Sequence, residues 1–219
     1  ASLPDVKRIL LLVGDISSKI ISKNDRATSL LFGDGGSATL IEKKNKNNKS
    51  FFSLNSDGGG FSSLNIIGGG YRHPSSAKTL EAIKHKDGSI RSEEHLFMNG
   101  MEVFKFTMTE VIKDIRRLIE YSHEKIENID YLVFHQSNKF MTDHFTKKLK
   151  LSISKVPYTI EKFGNTSSAS IPLTIVSELK KELHKNNKKL ILSGYGGGLS
   201  WGSNLLNISD CHIVDLLEV

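Results

Sequence analysis

Residues 100–122 constrain the fold of this chain most. Phe104, Met108, Val111, Ile112, Ile115, Leu118 and Ile119 recur at helical spacing, which predicts a long amphipathic helix with one face for burial. Beyond it, strand-length apolar runs alternate with helical patterns. Residues 129–134 read as a strand, and 138–149 as a helix with Met141, Phe145 and Leu149 four apart. Residues 167–183 read as a helix with a Ser/Thr-rich start suited to capping, and 189–193 and 200–208 as strands. Such alternation predicts α/β layering around a mostly parallel sheet.

The N-terminal part adds strands. A continuous aliphatic run at 7–14 ends on a glycine and predicts a buried strand. Residues 30–41 predict a second, with Gly33-Asp34-Gly35-Gly36 embedded as a place for a bulge or a close backbone approach. A lysine-asparagine turn at 42–49 leads to a strand at 50–55, and 57–74, with two Gly-Gly-Gly triplets, reads as loop. A faint repeat links 7–14 to 188–194, since each precedes a glycine-rich segment and a further strand.

At 219 residues, 38% hydrophobic and 25% charged, the chain can bury a substantial core. No apolar stretch approaches the roughly 20 residues of a membrane helix, and the first residues lack the order of a signal peptide. Cys211 is the single cysteine, which excludes an internal disulfide or a multi-cysteine zinc site and fits a reducing cytoplasm. A net charge of +6 favours anionic partners, yet no interleaving of basic and aromatic residues points to nucleic acid.

Two segments carry the chemistry: His135-Gln136-Ser137-Asn138 and Phe163-Gly164-Asn165-Thr166-Ser167-Ser168. Each lies where an apolar run or turn feeds a helix, a place that can hold a neutral imidazole and a carboxamide toward one reacting oxygen. Asn165 could also simply cap the helix that follows. The glycine-rich segment 194–202 could bring bare backbone N–H groups to the same place, and together the three suggest carbonyl and thioester chemistry. The triplets at 58–60 and 68–70 lack the strand-loop-helix setting and the following Lys-Ser/Thr of a phosphate cradle. Glu93-Glu94-His95 lacks metal-ligand spacing, and no metal is expected. Lys180, Lys181, Lys185, Lys188 and Lys189 read as a solvated helix end.

Several motifs in fixed order resemble those of β-ketoacyl-acyl carrier protein synthase III, a family of thiolase-fold condensing enzymes, over residues 6–208. They are Asp25-Arg26-Ala27-Thr28, Phe32-Gly33-Asp34-Gly35-Gly36 and the segment 95–105, joined by the His135, Asn165 and 196–202 segments. The resemblance implies a thiolase-like layered α-β-α-β-α fold. The end of its first half plus a loop would occupy 1–75, and the complete second half 76–219. It also implies an acyltransferase of fatty acid biosynthesis. An acyl group passes from coenzyme A to a cysteine, malonyl-acyl carrier protein is decarboxylated, and the enolate attacks the acyl thioester.

By this resemblance His135 and Asn165 donate hydrogen bonds to the developing thioester oxyanion, and the Gly197 N–H serves a second oxyanion site. Arg26 falls near the adenine-phosphate end of coenzyme A, Met98 and Phe104 along the acyl and pantetheine path, and Asn138 near the pantetheine amide. Tyr195 keeps an aromatic wall where the family commonly has Phe. Lys105, Lys147 and Lys148, with Lys139 beside them, match a docking patch for the acidic carrier protein, although Phe140 stands where the family often has Arg. Acyl-CoA is implied as substrate with no bound cofactor, and a homodimer is implied for a complete enzyme, with no nucleic acid or membrane partner.

The chief departure is the nucleophile. The family's cysteine lies about one helix before the strand expected at 7–14, so it is expected outside this chain, which begins at Ala1; Cys211 has no matching role. The segment alone is therefore expected to be inactive and to leave an apolar sheet face and edge uncovered. A related acyltransferase that uses acyl-CoAs in specialised metabolism, and a non-catalytic partner subunit, remain alternatives.

Overall fold

The protein is described by a computed structural model over residues 5–43, 49–184, 186–209 and 211–218. Lys185, most of the turn expected at 42–49 and the Ala1 start lie outside the described residues. The aliphatic run forms strand β1 (Arg8–Asp15), which pairs antiparallel with β2 (Gly35–Glu42) from Arg8 opposite Glu42 to Asp15 opposite Gly35. Residues 30–34 do not extend β2 as expected. The chain turns there, and Phe32 forms an isolated parallel bridge with Asn165.

The main sheet holds β3 (Phe51–Ser56), β4 (Tyr131–Phe134), β5 (Lys188–Gly196) and β6 (Ser200–Ile208), in the spatial order β3-β6-β5-β4. Only β4 and β5 run parallel, while β5–β6 and β6–β3 are antiparallel. The expectation of a mostly parallel sheet is thus corrected. A tight turn after Gly196 returns the chain directly as β6, and so short a link permits only an antiparallel neighbour. Both members of the repeat, β1–β2 and β5–β6, fold as antiparallel pairs. Because β3 joins β6, packing crosses the division expected at residue 75, and we propose that the second half begins at β3.

Helix α1 (Gly100–Tyr121) starts where the Asn99 side chain accepts the Glu102 N–H. It buries Val111, Ile112, Ile115 and Leu118. These meet Leu132 and Phe134 of β4, Ile191 of β5, Leu205 of β6 and Phe145 of α2 (Lys139–Lys148) in one apolar cluster. Alternation along β4 sends Val133 to the opposite face, where Leu179, Leu183 and Leu190 form a second cluster. Buried Asp114 ties α1 to β3 by accepting from the Ser53 hydroxyl and from Asn55 Nδ2, the latter at 2.7 Å.

The helix expected at 167–183 is divided into a 3₁₀ turn at Ser167–Ala169, then α3 (Ser170–Glu178) and a short turn at Lys180–Leu183. Leu179, at φ −112° and ψ 2°, leaves helical geometry and separates the last two. Helix α3 contacts β4 on one side and β2 on the other, which gives successive layers of helices, main sheet, helix and outer pair. On that outer pair the expectation of a buried strand fails, since Leu10 and Leu12 of β1 are 60% and 67% exposed. No layer covers their side among the described residues. The expected loop at 57–74 contains a 3₁₀ turn at Gly58–Ser63, and Leu64–Asn65 pairs with Phe97–Met98.

Candidate active site

The loop between β4 and α2 is locked at both ends by hydrogen bonds. The His135 N–H donates to the Ser193 carbonyl at 2.8 Å and so prolongs the β4–β5 ladder by one residue. Gln136 is buried; its Nε2 donates to the Phe134 carbonyl at 3.0 Å and its Oε1 accepts the Thr159 N–H at 3.0 Å. Asn138 then caps α2 by accepting the Phe140 N–H at 2.8 Å. A histidine at this strand end is thereby held by the backbone on both sides.

The His135 ring stands 2.7 Å from the Ser170 hydroxyl through Nδ1. Burial pushes its pKa down to about 4, against a smaller opposing effect of the Ser167 backbone, so the imidazole is neutral at pH 7. A neutral ring whose Nδ1 takes part in this hydrogen bond has only Nε2 left to present elsewhere.

Asn165 is fixed by the first segment of the chain rather than by its own helix. Its N–H donates to the Leu31 carbonyl at 2.8 Å, and its carbonyl accepts the Gly33 N–H at 2.9 Å. The approach is so close that a Cβ on Gly33 would fall 2.0 Å from the Phe163 carbonyl oxygen. Gly164, at φ +66°, supplies the backbone turn that a side chain would strain. The Asn165 Oδ1 accepts the Ser167 N–H at 2.9 Å, which leaves the NH₂ as the side chain's remaining polar group. Asp15, at the end of β1, braces the same loop by accepting the Ser168 hydroxyl and, at 3.0 Å, the Ser168 N–H. These hydrogen bonds hold the Asp15 carboxyl below the usual carboxylate range despite partial burial.

His135, Asn165 and Gly197 all line one cavity of about 490 Å³, walled also by Met98, Phe104, Asn138 and Tyr195. The cavity thus gathers the residues expected along the acyl and pantetheine path, whereas Arg26, expected near the adenine-phosphate end of coenzyme A, is exposed and does not line it. Lys105, Lys139, Lys147 and Lys148 are exposed on α1 and α2; Lys105 pairs with Glu102 and Lys139 with Glu161. Cys211 does not line the cavity. Among the described residues, no cluster of His, Cys, Asp and Glu could hold a metal ion. No helix among them is long and apolar enough to cross a membrane.

Sequence reasoning left Asp15, Ser137 and Ser170 without roles. The only available signal for Ser170 was its place in the Ser/Thr-rich helix start. Asp15 acts across 153 positions of sequence and gave none.

Two family models match the chain. One, described as 3-oxoacyl-[acyl-carrier-protein (ACP)] synthase III C terminal, matches residues 119–208, and the other, 3-oxoacyl-[acyl-carrier-protein (ACP)] synthase III, matches residues 3–58. The chain belongs to the 3-oxoacyl-acyl carrier protein synthase III family. It is 37% identical over 202 residues to a beta-ketoacyl-[acyl-carrier-protein] synthase III of Clostridium acetobutylicum, covering 92% of this chain and 59% of that protein. A crystal structure of a 3-oxoacyl-(acyl-carrier-protein) synthase III superposes with a TM-score of 0.87 at 36% identity, over 92% of this chain and 60% of that one. The synthase from Burkholderia xenovorans gives 0.86 at 41% identity, over 95% and 58%. The fold is therefore the thiolase-like α/β fold of these synthases, and the chain spans about three fifths of their length.

Proposed function

We propose that this chain forms part of an acyltransferase that carries out decarboxylative Claisen condensation, as the names of its synthase III relatives suggest. The observation that carries the reading is one cavity shared by a neutral imidazole, a carboxamide NH₂ and a glycine-rich backbone turn. Breaking the malonyl C–C bond releases CO₂ and leaves its electron pair as an enolate, with negative charge on the thioester oxygen. His135 Nε2–H and the Asn165 NH₂ stabilise that oxygen, and one donor of this kind contributes about 3 kcal/mol to the transition state. The enolate carbon then attacks an acyl thioester. The Gly197 N–H receives the oxyanion of that tetrahedral step, and the sulfur leaves as thiolate.

The acylated sulfur belongs to a cysteine outside these residues, loaded from acyl-CoA. Asn138, Met98, Phe104 and Tyr195 shape the pantetheine and acyl path, and Arg26 lies toward the adenine phosphates, outside the cavity. Lys105, Lys139, Lys147 and Lys148 receive the acidic acyl carrier protein. The complete enzyme works as a cytoplasmic homodimer.

The test is malonyl-carrier decarboxylation and condensation by the full-length gene product and its His135→Ala and Asn165→Ala variants. Each substitution is expected to lower decarboxylation about a hundredfold or more, the size of one lost oxyanion donor. Decarboxylation at the wild-type rate in either variant refutes the assigned roles. Transfer of acyl groups without malonate would point instead to an acyl-CoA acyltransferase of specialised metabolism.

A further inference from the structure

Two hydroxyls beside His135 take no part in the chemistry above. Ser137 stands two residues after His135, and Tyr195 two residues before Gly197. Their oxygens are 2.7 Å apart. The Tyr195 hydroxyl also donates to the His135 carbonyl at 3.4 Å. The Tyr195 ring meets the His135 ring edge-on at 5.3 Å between centroids and Phe145 at 5.9 Å.

A phenylalanine would supply the same ring packing, so packing does not account for the hydroxyl. Tyr195 is 8% exposed, and a phenol oxygen on so buried a side chain is costly unless it is hydrogen-bonded. Ser137 supplies the partner from a different element. The loop carrying the imidazole is thereby joined to the strand end carrying the glycine turn, across 58 positions of sequence.

We propose that the Ser137–Tyr195 hydroxyl pair is a positioning device that tethers the His135 loop to the Gly197 turn and sets where the imidazole stands relative to that turn. In this pair both are positioning residues: the Tyr195 ring walls the acyl path, while the two hydroxyls act on each other and so through His135 and the turn. The kinetic consequence rests on the condensation proposed above, whereas the tether is a property of the fold.

The test uses the full-length gene product as Tyr195→Phe, Ser137→Ala and the double variant, compared in malonyl-carrier decarboxylation and in thermal unfolding. Each single variant removes the short hydroxyl–hydroxyl bond: Ser137→Ala leaves the Tyr195 hydroxyl only its longer contact to the His135 carbonyl, and Tyr195→Phe leaves Ser137 only the Met141 sulfur. The double variant cuts the tether but strands nothing, so the two roles separate. The tether predicts kcat lowered about tenfold at little-changed KM in all three, with no further loss in the double variant. The melting temperature falls in the single variants and returns in the double. Unchanged kcat in the single variants, or kcat that recovers with the melting temperature in the double, overturns the proposal. If the wild type does not decarboxylate malonyl-carrier, the condensation reading fails and the tether is judged by the ¹⁵N resonances of the His135 ring. Displacement in the double variant supports the tether, and wild-type positions there overturn it.

Discussion

Replacing Gly33 by Ala offers a sharp test of how Asn165 is held. The new Cβ would stand 2.0 Å from the Phe163 carbonyl oxygen, whereas ordinary contact begins at 3.4 Å, so the two strands of backbone must part by about 1.4 Å. That movement breaks the Asn165 N–H to Leu31 and Gly33 N–H to Asn165 hydrogen bonds. At about 1 kcal/mol each, the loss is about 2 kcal/mol. For a protein of about 150–250 residues that lowers the melting temperature by about 4–8 °C, and by less in a longer full-length product. The same displacement shifts the carboxamide relative to the imidazole, and misplacement by about 1 Å costs on the order of a hundredfold in rate. Gly36→Ala is the control, because its Cβ would meet nothing closer than the Val13 carbonyl at 3.6 Å. Both variants of the full-length gene product would be followed by calorimetry and by malonyl-carrier decarboxylation. A Gly33→Ala protein with wild-type melting and turnover, or equal damage from Gly36→Ala, would refute the reasoning.

Acid should destabilise the fold through His135. The unfolded ring binds a proton below about pH 6.5, while the folded ring resists until about pH 4. Stability contributed by the neutral ring is thus lost as pH falls through that window, by up to about 3 kcal/mol. Urea midpoints from pH 7.5 to 4.5 should fall less steeply for His135→Gln, and an unchanged slope would remove His135 as the cause. The exposed aliphatic row of β1, with Ile9, Leu10, Leu11 and Leu12 each at least 39% exposed, should make the isolated 219-residue chain self-associate. Light scattering from a monodisperse monomer would contradict this.

Much of the architecture was legible because it rests on local periodicity. The apolar stripe of α1 and the runs at β4, β5 and β6 each announce their own element. His135 and Asn165 were legible for a related reason, since each sits where one element hands over to the next. Strand direction was obscured because the alternation of strands and helices outweighed the short β5–β6 link, which itself requires an antiparallel pair, and because β3 arrives from far upstream, where no local pattern gives its direction. Exposure of β1 was hidden as well. An aliphatic run records that a strand is to be covered on both faces, not whether the covering layer belongs to the same stretch of sequence. The role of Gly33 showed only as a hint of close backbone approach, because its neighbour, Phe163, lies 130 positions away.

The imidazole and the carboxamide of the cavity have separate backbone moorings. His135 hangs from the β4–β5 ladder, whereas Asn165 is clasped by Leu31, Gly33 and the loop braced by Asp15. Sliding of one mooring against the other therefore alters the spacing of the pair directly. The seam between Phe163 and Gly33, where not even a methyl group fits, is therefore what fixes the carboxamide's half of that spacing.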